Sequence, residues 1–197
     1  MARRNNNLIA FTCYSRGGKD EAAKVLIENG WKRHAFGDII KQQIDSLVRQ
    51  HLGFSAFTEV DAEKQMIRGV LEQWGESNYA NIRAAYFDTL PPKTVNVRLC
   101  REDEAVEWQK RGGLIVEIKR KTNGMWHLPA TDWEQGIVQG LRNADLVDIT
   151  IVNDASPEHL RQTMRQTFVA HEAPLSRGSG SRPRIIWCSN AVLPDHQ

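Results

Sequence analysis

The chain contains no apolar run approaching the ~18–20 residues that a membrane-spanning helix needs. It is poor in cysteine, with three in 197 residues, and Cys13, Cys100 and Cys188 lie far apart. That spacing excludes a disulfide framework and a cysteine-built metal site. His127 and His171 have no partners at zinc-ligand spacing, so no zinc is expected. Charge of one sign is also lacking. A net charge of +2 neither demands nor excludes nucleic acid as a partner. There is no internal repeat. The opening "MARRNNNLIAF" carries arginines without the apolar core of a secretion signal, so the expectation is a cytoplasmic protein with no membrane partner.

What remains is ordinary globular material, 41% hydrophobic and 25% charged, of a length that suits one domain with a sizeable core. "LIAFTCY" (8–14) predicts a buried strand. Ala22, Ala23, Leu26 and Ile27 have helical spacing over 19–29, and Gly30 is a natural stop. "KRHAF" predicts a second short strand. Ile39, Ile40, Ile44, Leu47 and Val48 form one stripe of a helix over 38–52. Helices are also predicted over 61–74 and 79–90, the latter ended by Pro91-Pro92.

The period then changes. "TVNVRL" (94–99), "LIVEIKR" (114–120) and "LVDITIVN" (146–153) predict strands, separated by helices over 102–110 and 132–141 and followed by one over 157–168. Gly112-Gly113 breaks the first of these helices. Strand–helix alternation at this spacing implies parallel βαβ units in a three-layer α/β fold. Residues 172–184, with Arg177, Arg182 and Arg184 among glycines and serines, are expected to be a loop or linker. "IIWC" after it would add an edge strand or dock on the core.

The chemistry-bearing stretch is "FTCYSRGGKDEAAKVLIENG" (11–30). A phosphate-binding loop needs a strand, a glycine-rich turn and a helix start. Backbone N–H groups and the helix dipole then face the anion. All three parts stand here in order, and Lys19 can reach terminal phosphates as a mobile charge. Two parts of G-x-x-x-x-G-K-[ST] are missing. Cys13 stands at the first glycine and Asp20 at the hydroxyl residue. The plain alternative is a tight strand–helix turn with no ligand.

The stretch "SRGGKDE" resembles the loop of phage deoxynucleoside monophosphate kinases and their P-loop kinase relatives, which ends "RSGKDT". Asp20 therefore fits that family where it departs from the general motif. Glu21, at the family's threonine, and Cys13 remain departures. The resemblance continues through "GWKRHAFGDIIKQQI", "VNVRLCREDEAVEWQKRGGLIVEIKR" and "DITIVNDASPEHL", and covers roughly 8–168.

The resemblance implies a P-loop kinase fold, with a mostly parallel sheet flanked by helices. It implies a kinase domain over 1–171, a helical acceptor-binding insertion over 37–92, and a C-terminal segment over 172–197. The cofactors implied are ATP and Mg²⁺, with Ser15, Arg16, Gly17, Gly18, Lys19, Asp20 and Glu21 around the ATP and Asp20 toward the metal. Lys19, Asp38 and Arg98 would serve catalysis. Asp38, Lys41, Arg68, Arg98 and Glu134 would hold the acceptor. Asn96 stands where the family has an aspartate.

Each has a bland alternative. For Asp38 it is an N-cap, for Lys41 and Arg68 a solvated helix face, and for Arg98 an ion pair with Glu102 or Asp103. By general tendency the tryptophans are core, Trp126 and Trp133 being the two that could instead stack a base. The expected function is transfer of the γ-phosphate of ATP to a deoxynucleotide, first a free monophosphate. The alternative acceptor is 5-hydroxymethyluracil within DNA, as in related phage kinases. A nucleotide-binding regulator without turnover is a third reading. The partner is thus a nucleotide or modified DNA, with a homodimer allowed.

Overall fold

A computed structural model describes residues 7–14, 16–99, 101–129, 131–169 and 184–190, apart from the side chains of Trp133, Glu134 and Asn190. Its strands are β1 (Leu8–Thr12), β2 (Lys32–Arg33), β3 (Thr94–Asn96), β4 (Leu114–Thr122), β5 (Met125–Trp126), β6 (Ile149–Asn153) and β7 (Arg184–Trp187). Its α-helices are α1 (Lys19–Glu28), α2 (Phe36–Leu52), α3 (Asp61–Ser77), α4 (Tyr79–Asp88), α5 (Glu102–Lys110), α6 (Asp132–Asn143) and α7 (Pro157–Met164). The α/β architecture is the one that the alternation predicts. The chain divides into two compact units, His34–Leu90 and the remainder.

The larger unit is built on one sheet in the order β2-β3-β1-β4-β6-β7, all parallel, with β5 folded back antiparallel on β4. β1 and β6 are buried along their whole length. This is what their unbroken apolar runs require of strands covered on both faces. From β1 the chain runs by way of α1 toward β2, and from β3 by way of α5 to β4, in opposite directions. Right-handed crossovers put those helices on opposite faces of the sheet. The order therefore reverses at β1, and a crevice opens outside the carboxyl ends of β1 and its neighbours.

Polar groups fix the ends of these strands. Asp148 is buried, and its Oδ2 accepts from Ile115 N at 2.9 Å and Gln109 Nε2 at 3.1 Å. Trp108 is fully buried and donates from Nε1 to Leu114 O at 3.2 Å. Gly113 is obligatory for that contact, because a Cβ there would collide with the Trp108 indole. The glycine pair thus makes room for an aromatic ring as well as ending α5.

Several boundaries differ from the sequence expectation. The strand in "KRHAF" is confined to Lys32–Arg33, because Phe36 stacks on Tyr86 at 4.0 Å and α2 begins there. Asp38 is consequently inside the first turn, and Ala35 takes the N-cap place. Leu47 faces outward, 49% exposed, while Ile39, Ile44 and Val48 are buried. The strand in "TVNVRL" ends at Asn96, although Leu99 N still donates to Phe11 O at 3.1 Å, and Arg98 lies in the segment after β3. The strand in "LVDITIVN" is Ile149–Asn153, and the last predicted helix becomes α7 followed by a π turn over Arg165–Val169.

Arg184 is not in a loop. It opens β7, which pairs in parallel with β6, and Arg177 and Arg182 lie outside the described residues. Just beyond β7, Cys188 is fully buried, and burial pushes its thiol up to about 11.

The smaller unit, α2–α4, has its own core of Ile44, Val48, Ala56 and Ile67, with Phe54 and Leu71 packed against it. Its α2–α3 turn is organised by one carboxylate. Asp45 accepts from Arg49 Nε, Ser55 Oγ and Ala56 N, each at 2.7 Å. The Arg49 hydrogen bond, then that of Ser55, holds Asp45 down at about 2, against 3.8 ordinarily. The folded state therefore gains stability from Asp45 above about pH 4 and loses it as pH falls toward 2. Asp45→Asn should lower the Tm near neutral pH, and the difference from the parent should shrink as the acid end of that window is reached. Parallel pH–Tm curves for parent and variant would contradict this.

Candidate functional site

The turn between β1 and α1 is held open by two residues of distant strands. Arg120 Nη1 donates to Arg16 O at 3.0 Å, and Asn153 Nδ2 donates to Gly17 O at 3.0 Å. Arg120 and Asn153 are register partners on β4 and β6, so their side chains project from the same face of the sheet. They hold consecutive carbonyls of the turn. A trans peptide sets its N–H opposite its C=O. Fixing Gly17 O against Asn153 therefore turns the Gly18 N–H the other way, toward the head of α1.

The backbone can take this path only with glycine at two points. Gly18 is the N-cap of α1 at φ 110°, and a Cβ there would stand 2.8 Å from Asn153 Nδ2 and 2.9 Å from Leu160 Cδ2. A Cβ on Gly17 would stand 2.9 Å from Tyr14 O and 3.1 Å from Cys13 Cβ. Gly17 N donates to Tyr14 O at 3.0 Å, which closes the turn. Arg16 also has positive φ, 63°. No side chain caps the start of α1, whose first internal bond is Ala22 N to Gly18 O. Its first-turn N–H groups are therefore open to an anion, with the helix dipole in its favour.

Lys19 heads α1, and its Nζ lies 3.2 Å from Asp20 Oδ2. Asp20 is largely in solvent, its side chain 80% exposed. Glu21 is turned elsewhere. Arg161 on α7 grips its Oε2 from Nε at 3.0 Å and from Nη2 at 2.7 Å. That pair ties α1 to α7 and raises the Arg161 pKa. Among the described residues no group of three or more potential ligands is gathered to hold a metal. Mg²⁺ is commonly held by one or two carboxylates together with substrate phosphates and water. Asp20 is the exposed carboxylate at the helix head that fits such a role.

A cleft of about 270 Å³ opens beside the turn, bounded by Tyr14 and Gly17, by Lys119 and Arg120 of β4, and by Trp126 and Arg142. Glu117 also lines it, yet it is buried and paired with Arg142, whose Nε donates to Glu117 Oε1 at 3.0 Å. Burial works against the Arg142 charge, and the Glu117 carboxylate more than offsets it, so the pKa is raised. With Glu117 neutralised, Lys119 and Arg120 give this wall a positive character.

The remaining candidates are placed as follows. Ser15 lies outside the described residues, as does the Glu134 side chain. Arg98 is exposed beyond β3, and its backbone N donates to Asn96 Oδ1 at 2.9 Å. Asn96 itself is fully buried, and its Nδ2 has no partner. Asp38, Lys41 and Arg68 belong to the smaller unit. Asp38 and Lys41 are half-buried on α2, with Lys41 Nζ 5.5 Å from the Phe57 ring centre. Arg68 is exposed on α3 and paired to Glu72 at 2.9 Å, a surface pair of small energetic weight.

Arg120, Asn153 and Arg161 were not singled out in the sequence. Arg120 and Asn153 lie in two of the stretches that carry the resemblance, although no role was attached to either of them.

No protein-family model matches the chain, and no curated protein does. Among solved structures, a dephospho-CoA kinase from Campylobacter jejuni is similar at a TM-score of 0.47 and 15% identity, over 82% of this chain and 94% of that one.

The loop geometry has a direct test. Gly18→Ala should cost about 1–3 kcal/mol of stability, as a strained left-handed residue does. Gly37 lies in α2 with open space at its Cβ, so Gly37→Ala should be neutral or mildly stabilising. Chemical denaturation of both variants checks this. Equal stabilities would show that the turn is not built as described.

Proposed function

We propose that this chain is an ATP-dependent phosphotransferase of the P-loop kinase type, acting on a deoxynucleotide. The observation that carries the reading is the clamped turn. Its carbonyls are tied back to Asn153 and Arg120, its glycines are sterically obligatory, and Lys19 stands at an uncapped helix head. This is the arrangement a polyphosphate needs. The sheet order puts the turn at the crevice where α/β proteins bind ligands.

In this reading the Gly18 N–H and the first-turn N–H groups of α1 receive the β- and γ-phosphates, with Lys19 as the mobile cation. Mg²⁺ bound with ATP would supply further charge neutralisation, and Asp20 is the residue that would hold it. An acceptor oxygen attacks the γ-phosphorus and the bond to the β-phosphate oxygen breaks. ADP leaves with the charge that the loop has been holding. Little covalent work falls to the protein, so positioning and electrostatics dominate. The helical unit with Asp38, Lys41 and Arg68 is assigned the acceptor, with Arg98 and Glu134 as further contacts. A cytoplasmic location follows as part of this proposal. Among the described residues, no helix is long and apolar enough to cross a membrane.

The first acceptor is a free deoxynucleoside monophosphate. A second reading, transfer to the hydroxyl of 5-hydroxymethyluracil in DNA, is favoured by one observation. Trp126, beside the cleft, is 45% exposed rather than buried, with lysines around it.

The deciding experiment supplies labelled γ-phosphate ATP with each deoxynucleoside monophosphate, plain DNA and hydroxymethylated DNA. Label in a diphosphate supports the first acceptor, and label retained in polymer supports the second. Lys19→Ala should keep the fold and reduce transfer by about 10²–10³, the worth of one well-placed electrostatic contact. A folded variant with near-parental transfer would refute the loop as the donor site.

A further inference from the structure

Among the described residues of the larger unit, Phe11, Trp31 and Trp108 are buried, but two tryptophans are exposed. Trp126 is 45% exposed on β5 and Trp187 is 38% exposed on the edge strand β7. General tendency makes Trp187 a core residue, whereas Trp126 is one of the two tryptophans that could instead stack a base. β5 is a two-residue strand, exposed throughout, and among the described residues no strand lies beyond β7 in the sheet order. Lysines surround both rings. Lys119 Nζ lies 4.7 Å from the Trp126 ring centre and Lys121 Nζ lies 5.4 Å from it. Lys121 Nζ is also 5.8 Å from the Trp187 ring centre, so one ammonium is shared by two indoles.

The group is anchored rather than floppy. Trp126 is the register partner of Lys121 in the β4–β5 hairpin, and Lys119 and Lys121, two residues apart, share one face of β4. Trp187 is the partner of Val152 in the sheet and precedes the buried Cys188. Ser189 N donates to Asp154 Oδ1 at 3.0 Å, fixing the chain just after it. The group also adjoins the phosphate turn, since Lys119 and Trp126 line the same cleft as Tyr14 and Gly17. The cleft's acidic side chain, Glu117, is already neutralised by Arg142.

From this placement we infer that Trp126, Lys119, Lys121 and Trp187 form a platform for a single polynucleotide strand that leads into the cleft beside the loop. Exposed indoles offer flat faces on which any base stacks, and ammonium groups beside them meet the strand's phosphates. A free monophosphate would need one base site and one charged contact. Two indoles and two lysines arrayed along a hairpin and a sheet edge suit a longer, repeating polyanion. The inference deepens the DNA-acceptor reading of the cleft and rests on it. It also relocates the expected contact, because Arg184 opens β7 at the end of the strand opposite Trp187.

The test is binding of a short fluorescent single-stranded DNA to the full chain without ATP, followed by anisotropy across a salt series. Trp126→Ala should weaken binding about tenfold or more, with Trp126→Phe restoring most of it. Lys119→Gln with Lys121→Gln should reduce the slope of log affinity against log salt by about 1.4, at about 0.7 for each single-strand phosphate contact. These side chains are at the surface, and unchanged circular dichroism and Tm would confirm that the variants fold. Absence of strand binding at low salt overturns the inference, and so does binding that these variants leave unaltered. Transfer assays run in parallel keep the two ideas apart. Transfer to a free nucleotide without strand binding leaves the phosphotransferase and removes the platform. Platform-dependent binding without transfer to any acceptor does the reverse.

Discussion

Two hydrogen bonds from the sheet to the β1–α1 turn govern the rest of the site. Asn153 and Arg120 are neighbours across β4 and β6, and they hold the carbonyls of Gly17 and Arg16. The Gly17 carbonyl is held at a buried site, where leaving it unpaired would cost roughly 1–3 kcal/mol, while the Arg16 carbonyl is held at an exposed one. The turn is therefore steered toward one orientation of its peptide planes. Everything next to it follows. Gly18 must lack a Cβ because Asn153 and Leu160 fill the space where one would go. Its left-handed backbone then starts α1 without a side-chain cap, leaving the helix head available to charge. The sheet order supplies the crevice, and the clamp supplies the direction in which the N–H groups point.

The departures from the general phosphate-loop pattern become intelligible in those terms. At the position of the first glycine, Cys13 contributes its Cβ and Sγ to the space beside Gly17, within 3.2 Å of where a Cβ would stand. Side-chain volume at Cys13 is accommodated because Gly17 has none. Glu21, where a hydroxyl residue would ordinarily meet metal or phosphate, is bound by Arg161 of α7. Its carboxylate is thereby kept from adding uncompensated negative charge at the helix head. Asp20 remains the exposed acid there, with Lys19 Nζ 3.2 Å from its Oδ2. The loop is chemically unusual and sterically consistent.

Much of this fold could be read from the chain because its signals are local. β1, α1, α5 and β4 announce themselves by apolar period and by glycine placement, and the parallel order follows from their alternation. The clamp could not be read that way. Asn153 bonds a residue 136 positions away and Arg120 one 104 positions away, and no local period encodes either contact. Helix starts failed for a similar reason. Asp38 has the composition of a cap, yet the stacking of Phe36 on Tyr86, far along the chain, sets where α2 begins. Exposure of tryptophan was equally hidden. Trp108 and Trp126 are the same residue type, but one is sealed beneath Gly113 and the other stands on a two-residue strand at the sheet's margin.

That contrast bears on how the site is to be understood. An aromatic ring exposed by nearly half its surface forgoes much of the stabilisation that burial would give, about 25 cal/mol for each Å². The two ammonium–ring contacts offset part of this, by about 0.5–1 kcal/mol each at an exposed site. Neither requires a second tryptophan at Trp187 sharing Lys121, nor a position beside the clamped turn. The sheet already has a buried centre in β1, β6 and the first five residues of β4, 114–118. The margin that carries Trp126 and Trp187 is thus the part of the larger unit where side-chain choice is least dictated by packing. Chemistry placed there, next to a turn shaped for phosphate, is more economically explained by what the surface meets than by what it supports.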